Sequence, residues 1–188
     1  MSPKMIGYQE KINGLVLIAE DDSGSKASYE FDVPAGYISI EFHFYNVHPV
    51  TDAAKFMWRS SVDAGGSYGV ATQTSFVQTY HNEADSATNL SYNTSYDADL
   101  STGDLYLSDG IGNDNDQGGS GQLVIYGSSS PTYVKHFMSH LQHSSAGDTC
   151  NISRTGGYIN TTSDVDAVKF FFDSGNIDTG IIRMYGLT

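Results

Sequence analysis

Tyr37-Ile-Ser-Ile-Glu-Phe-His-Phe-Tyr-Asn46 decides the fold class. Ile38, Ile40, Phe42 and Phe44 alternate there with Ser39, Glu41, His43 and Tyr45, a period of two that puts one set on each face of an extended chain. Such alternation marks a half-buried strand of an antiparallel sheet. Outward from this stretch the same period returns at Ala54, Phe56 and Trp58, at Leu105 and Leu107, at Leu123 and Ile125, at Val168, Phe170 and Phe172, and at Ile182 and Met184. Between these runs lie turn formers: Asp21 to Lys26, Val33 to Gly36, Asp63 to Ser67, Asp109 to Gly121 and Asp173 to Asn176. No repeat and no helical periodicity interrupts the pattern. It predicts an all-β chain, an antiparallel two-sheet β-sandwich resembling a jelly roll, as a single domain over 1–188 with Trp58 in its core.

Composition agrees. Tyr (13) and Phe (9) are plentiful, and charged residues make up only 16% of the chain against roughly a quarter in an average soluble protein. With 9 Lys+Arg against 22 Asp+Glu the net charge is −13, which argues against direct nucleic-acid binding, because that affinity comes from cations displacing phosphate counterions. The longest apolar run, Leu15 to Ala19, falls far short of the roughly 20 residues of a spanning helix, so no membrane insertion is expected. Met1-Ser-Pro-Lys-Met5 carries no apolar core behind it, and the chain reads as soluble, without a Sec-type signal. Cys150 stands alone, so neither an intrachain disulfide nor a cysteine zinc site is expected, and its thiol is expected to be packed.

Two regions are less regular. Asp104 to Asp109 and Gln122 to Tyr126 predict a hairpin with a long exposed tip, and His81 to Leu100 predicts a surface excursion without regular structure.

Candidate chemistry is sparse. The tip Asp109 to Gly119 is rich in oxygen ligands, with Asp114 and Asp116 at alternate positions that suit Ca²⁺, but no register in it meets the EF-hand pattern. A solvated tip is the expectation, and no cofactor is expected, Ca²⁺ being the minor alternative. His136 and His140 have the spacing of two zinc ligands on a helix, yet Phe137 stands where a zinc protease has Glu and the surroundings favour a strand. There His136 and His140 share a side with Met138 as partly buried imidazoles or a subunit contact, and metal binding by His136, His140 and His143 is the minor reading. No Ser/His/Asp triad can be inferred from a chain with so many Ser and Asp residues, the glutamates are scattered, and no enzymatic activity is expected. The sequons at Asn89, Asn93, Asn151 and Asn160 follow from an excess of Asn, Ser and Thr. Tyr80, Tyr92, Tyr96 and Tyr106, with Asp114 and Asp116, are the candidate ligand or partner surface: aromatic rings stack on sugar faces and carboxylates bond hydroxyls, or the same rings fill a subunit interface.

Six stretches carry a resemblance: Leu17 to Glu20, Phe44 to Asp52, Ser60 to Gly69, Tyr106 to Gly112, Tyr133 to Phe137 and, most specific, Ser174-Gly-Asn-Ile-Asp-Thr-Gly-Ile-Ile-Arg-Met-Tyr-Gly186. Together they resemble small β-rich virion structural proteins of marine tailed bacteriophages. The resemblance implies a part of a phage particle, a head decoration or a tail component, assembled in the host cytoplasm and then carried on the virion exterior. Its expected partners are further copies of itself in a homo-oligomer and other virion proteins. The alternative is a receptor-binding or carbohydrate-binding module of a tail fibre or adhesin that attaches to a host surface glycan, with His81 to Leu100 and Asp109 to Gly119 as its ligand surface.

Overall fold

The structure is a computed structural model that describes residues 14–188, so the Met1–Met5 stretch read for a leader lies outside the described residues. The described residues form twelve strands: β1 (Leu15–Asp21), β2 (Tyr29–Asp32), β3 (Ser39–Pro49), β4 (Phe56–Ser61), β5 (Thr72–Asn82), β6 (Thr88–Tyr92), β7 (Leu105–Tyr106), β8 (Gly119–Tyr126), β9 (Lys135–Ser144), β10 (Thr149–Ile159), β11 (Ala167–Phe172) and β12 (Ile177–Leu187). The one helical element among the described residues is a 3₁₀ turn at Thr94–Tyr96. All strand pairings are antiparallel and form two sheets, one of eight strands in the order β1-β12-β3-β8-β9-β10-β5-β6 and one of four in the order β2-β11-β4-β7.

Their inner faces meet in a core of aromatic rings. On β3, Ile40, Phe42 and Phe44 point inward, as the alternation predicted, while Ile38 precedes the strand and is 63% exposed. Phe170 of β11 is the hub: its ring centroid lies 4.9 Å from Phe42 and 5.1 Å from Phe44, both edge-on, and 6.0 Å from Phe56. Trp58 of β4 is fully buried and meets Phe137 of β9 edge-on at 4.9 Å. Edge-to-face contacts of this kind add about 0.5–1.5 kcal/mol each beyond the area they bury.

The large sheet's inner face changes character across its width. On β3, β8 and β12 it is apolar, but on β9 and β10 it presents Ser139, His143, Asn151, Ser153 and Thr155, all buried. Thr155 Oγ1 donates to the Tyr106 carbonyl at 2.9 Å and so ties β10 to β7 across the sandwich. Gly121 of β8 allows the close approach of β9, since a Cβ there would stand 2.1 Å from the His140 carbonyl oxygen.

Several expectations need correction. Asp104 to Tyr126 is not a hairpin: β7 pairs β4 in the small sheet, whereas β8 pairs β3 and β9 in the large one. After β7 the chain stays hydrogen-bonded to the β4 side, Leu107 N–H donating to Phe56 O and Ile111 N–H to Ala54 O, and then crosses to the Ser144 carbonyl through Gly112 N–H. His81 to Leu100 is not irregular either. It completes β5, turns where Asn82 Oδ1 accepts from the Ser86 and Ala87 amides, and returns as β6 before the 3₁₀ turn. Cys150 is exposed rather than packed, because its neighbour Asn151 takes the inward position on β10. His136 and His140 do share the side of Met138, but all are exposed on the outer face of β9.

Candidate functional site

Strand register assembles the site. Tyr80 of β5 lies opposite Asn151 of β10, Asn151 opposite His143 of β9, and His143 opposite Gly119 of β8. Residues directly opposite share a face, so Tyr80, Asn151 and His143 form one row on the inner side near the end of the large sheet. Gly119 ends the row without a side chain. A Cβ there would sit 2.8 Å from Ile111 Cδ1 and 3.4 Å from His143 Cβ, so glycine leaves room for the crossing chain to bring Asp109 against the row.

Asp109 anchors a connected polar network. His143, wholly buried, places Nε2 2.6 Å from Asp109 Oδ1, and the Asn151 side-chain amide donates to Oδ1 at 3.3 Å and Oδ2 at 3.2 Å. Thr149 Oγ1 donates to Asn151 Oδ1 at 2.6 Å and is joined in turn to Ser145 Oγ at 2.5 Å. Burial pushes the Asp109 carboxyl up, but the His143 hydrogen bond and charge, the Asn151 amide and the Gly110 N–H outweigh it and hold the group below its ordinary value. With Asp109 an ionised acceptor, His143 Nε2 must carry the proton between them.

Beside this network lies a cleft of about 540 Å³, within the size range of small-ligand sites. Its walls are Tyr80 and Tyr96, Asp109 and Asn151, Gln78 and Lys55, with the Ser145–Thr149 turn at the rim. Tyr96 is held by the 3₁₀ turn, whose Asn93 cap accepts from the Ser95 amide, and its ring packs 4.7 Å from Tyr106 and 5.1 Å from Phe76. Burial raises the Tyr96 phenol above its ordinary value, with the Asp109 charge adding to the shift. Lys55 is committed to Asp173 at 2.8 Å, an ion pair that raises the lysine, while burial of Asp173 is overcome by the Lys55 contacts that lower it. Among the buried polar atoms without a protein partner, Gln78 Oε1 and His143 Nδ1 belong to residues of this site.

The six residues singled out from sequence are divided. Tyr80 and Tyr96 line the cleft and Tyr106 backs Tyr96 from behind. Tyr92 lies on the large sheet's free edge, 56% exposed, with its hydroxyl donating to Asp97. Asp114 and Asp116 lie in the exposed crossing loop, where Asp114 contributes its carbonyl to Gln117 N–H at 2.9 Å and Asp116 lines a separate concavity with Asn46 and His48. No group of three His, Cys, Asp or Glu side chains among the described residues is placed to hold a metal ion. Sequence reasoning missed Asp109, Lys55, His143 and Asn151 as members of one site. The signal that joins them is strand register, with His143 set apart from His136 and His140 by their parity on β9.

Compared with protein-family models, curated proteins and solved structures, the chain matches none of them significantly.

Proposed function

We propose that this chain is a structural component of a bacteriophage particle, a β-sandwich module on the virion exterior that works by self-association and by docking on other virion proteins. The observation that carries the reading is the pair of open edges on the eight-stranded sheet. Among the described residues nothing pairs the outer side of β1 or of β6. Neither edge has the lysine or proline that usually blunts such strands, and each exposes apolar side chains: Leu15, Val16 and Leu17 on β1 are 43–51% exposed, and Leu90 on the otherwise polar β6 is 74% exposed. An unblunted apolar edge is a template for pairing with a second chain, and a symmetric oligomer uses it without open-ended aggregation. The sequence resemblance over Ser174–Gly186 supports the particle assignment. That segment supplies most of β12, which sits between β1 and β3.

Two measurements test it. Light scattering on the purified chain should give a discrete oligomer that Leu90→Lys or Val16→Lys weakens, and mass spectrometry should find the chain in gradient-purified particles of the phage that encodes it. A monomer at high concentration overturns self-association, and absence from washed particles overturns the virion assignment.

A second reading, a carbohydrate-binding or receptor-binding module, is favoured by the cleft. Its two tyrosines, fixed carboxylate and amide are the groups that recognise sugars.

A further inference from the structure

We infer that the cleft between Asp109, Asn151, Tyr80 and Tyr96 is a binding site for an uncharged pyranose, with Asp109 the hydroxyl acceptor and Tyr96 the ring platform. This rests on the second reading above and adds to it a ligand class and the residues that select it.

The class follows from hydrogen-bonding capacity and charge. An ionised carboxylate accepts about four hydrogen bonds. Asp109 Oδ1 is occupied by His143 and Asn151, whereas Oδ2 receives only the Asn151 contact at 3.2 Å among side-chain donors, so it has capacity for a ligand hydroxyl. Hydroxyls of a sugar ring donate to such acceptors, and the apolar C–H face of the ring packs on an aromatic side chain. Tyr96 suits that part because its ring is already fixed between Tyr106 and Phe76, so stacking on it orders nothing further.

Charge excludes acidic sugars. The ionisable groups of the cleft are Asp109, Lys55 and the two tyrosines, and Lys55 already has its ammonium on Asp173 Oδ2 at 2.8 Å. The anion that faces the cleft is therefore Asp109, whose Oδ1 is shared with His143 and Asn151. A uronate or sialate would bring a second carboxylate against it without a free cation to receive it, and a buried His143 holds Asp109 in place rather than letting it swing aside. His143 is in these terms a positioning residue.

The test is saturation-transfer NMR on the full chain with methyl glycosides of glucose, galactose, mannose and N-acetylglucosamine, set against methyl glucuronide and sialic acid, alongside a glycan array. At least one neutral glycoside should bind. Tyr96→Ala and Asp109→Asn should each weaken it tenfold or more while amide spectra report an intact fold, and Asp116→Asn in the crossing loop should leave it unchanged. Calcium chloride and a chelator are run in parallel. Binding of acidic sugars alone, or neutral binding that both cleft variants retain, overturns the ligand class and leaves the carbohydrate reading standing. Calcium shifting the resonances around Asp109 with no sugar bound overturns the pyranose assignment in favour of a cation. An array silent for every glycan removes the carbohydrate reading as well.

Discussion

Replacing Asp109 by Leu is the perturbation that most directly tests the polar network as a structural unit. The carboxylate has 21% of its side chain exposed and is the acceptor for two donors, His143 Nε2 on a wholly buried ring and the Asn151 amide on a residue 5% exposed. A buried donor stripped of its partner costs about 1–3 kcal/mol, so two such donors predict a loss of about 2–6 kcal/mol. For a chain of this size each kcal/mol moves the melting temperature by about 2–4 °C, and the expected fall is about 4–24 °C in a thermal scan followed by circular dichroism. Removing both partners of the shortest bond should be milder than removing one, because the buried imidazole donor is then gone and only the Asn151 amide is left without its acceptor. The double variant Asp109→Leu/His143→Phe should therefore recover a good part of the loss. Acid gives an independent reading. Burial raises the Asp109 carboxyl and its hydrogen bonds more than offset this, so its folded value lies below the ordinary 3.8. A group depressed on folding contributes stability that is complete above its unfolded value and is lost as the pH falls through the folded one. The share of the wild-type advantage due to Asp109 should thus be complete above pH ~4 and shrink below it. A melting temperature within 2 °C of wild type, or a double variant less stable than the single one, would refute the network.

Other outcomes follow from the packing. Phe170→Ala removes the ring shared by Phe42, Phe44 and Phe56 and should cost about 3–5 kcal/mol in urea unfolding; a loss under 1 kcal/mol would contradict its place as the core's hub. Gly121→Ala drives a Cβ to 2.1 Å from the His140 carbonyl oxygen, so β8 and β9 must separate, and hydrogen exchange should speed at Leu123 and Leu141 before the rest of the sheet. Cys150 is exposed and held only by a long Gln142 contact at 3.8 Å, so a maleimide should modify it in the native chain as fast as in urea, whereas protection would show that an assembly covers that face.

Much of the sandwich was legible because strands β3, β4, β8, β11 and β12 pair an apolar inner face with a more polar outer one, and that contrast is visible in a single chain. The contrast weakens on β9 and β10, where Ser139, His143, Asn151, Ser153 and Thr155 share the inward positions with Phe137, Leu141 and Ile159. Polar residues turned inward erase the alternation, so the part of the sheet that carries the cleft is the part that composition disguises. The false hairpin at Asp104–Tyr126 has a different cause. β7 is two residues long, its pairing energy comes from β4, and its neighbour in sequence is not its neighbour in space. Tyr80 and Tyr96 could be nominated as aromatics in polar surroundings, but Asp109 and Asn151 could not, since they are among many Asp and Asn residues and only register distinguishes them.

The unequal widths of the two sheets explain why the cleft and one of the open edges occur together. Phe170 and Phe31 lie over β3, Trp58 lies over β9, and the Tyr106 carbonyl lies over β10, so the four-stranded sheet is used up before β5 and β6 are reached. Past the last opposing strand the inner face of β5 keeps Phe76 buried against Tyr96 of the 3₁₀ turn, and the row Tyr80, Asn151, His143 becomes polar where that cover ends. The same overhang leaves β6 as an outermost strand with one side unpaired. Extending the small sheet by one strand would close the cleft and lengthen the core, whereas pairing a second chain on β6 would cover the edge and leave the cleft's inner wall in place. The proposed assembly through the edge and the proposed ligand binding in the cleft are therefore compatible in one chain, and a β6 variant that blocks the first should spare the second.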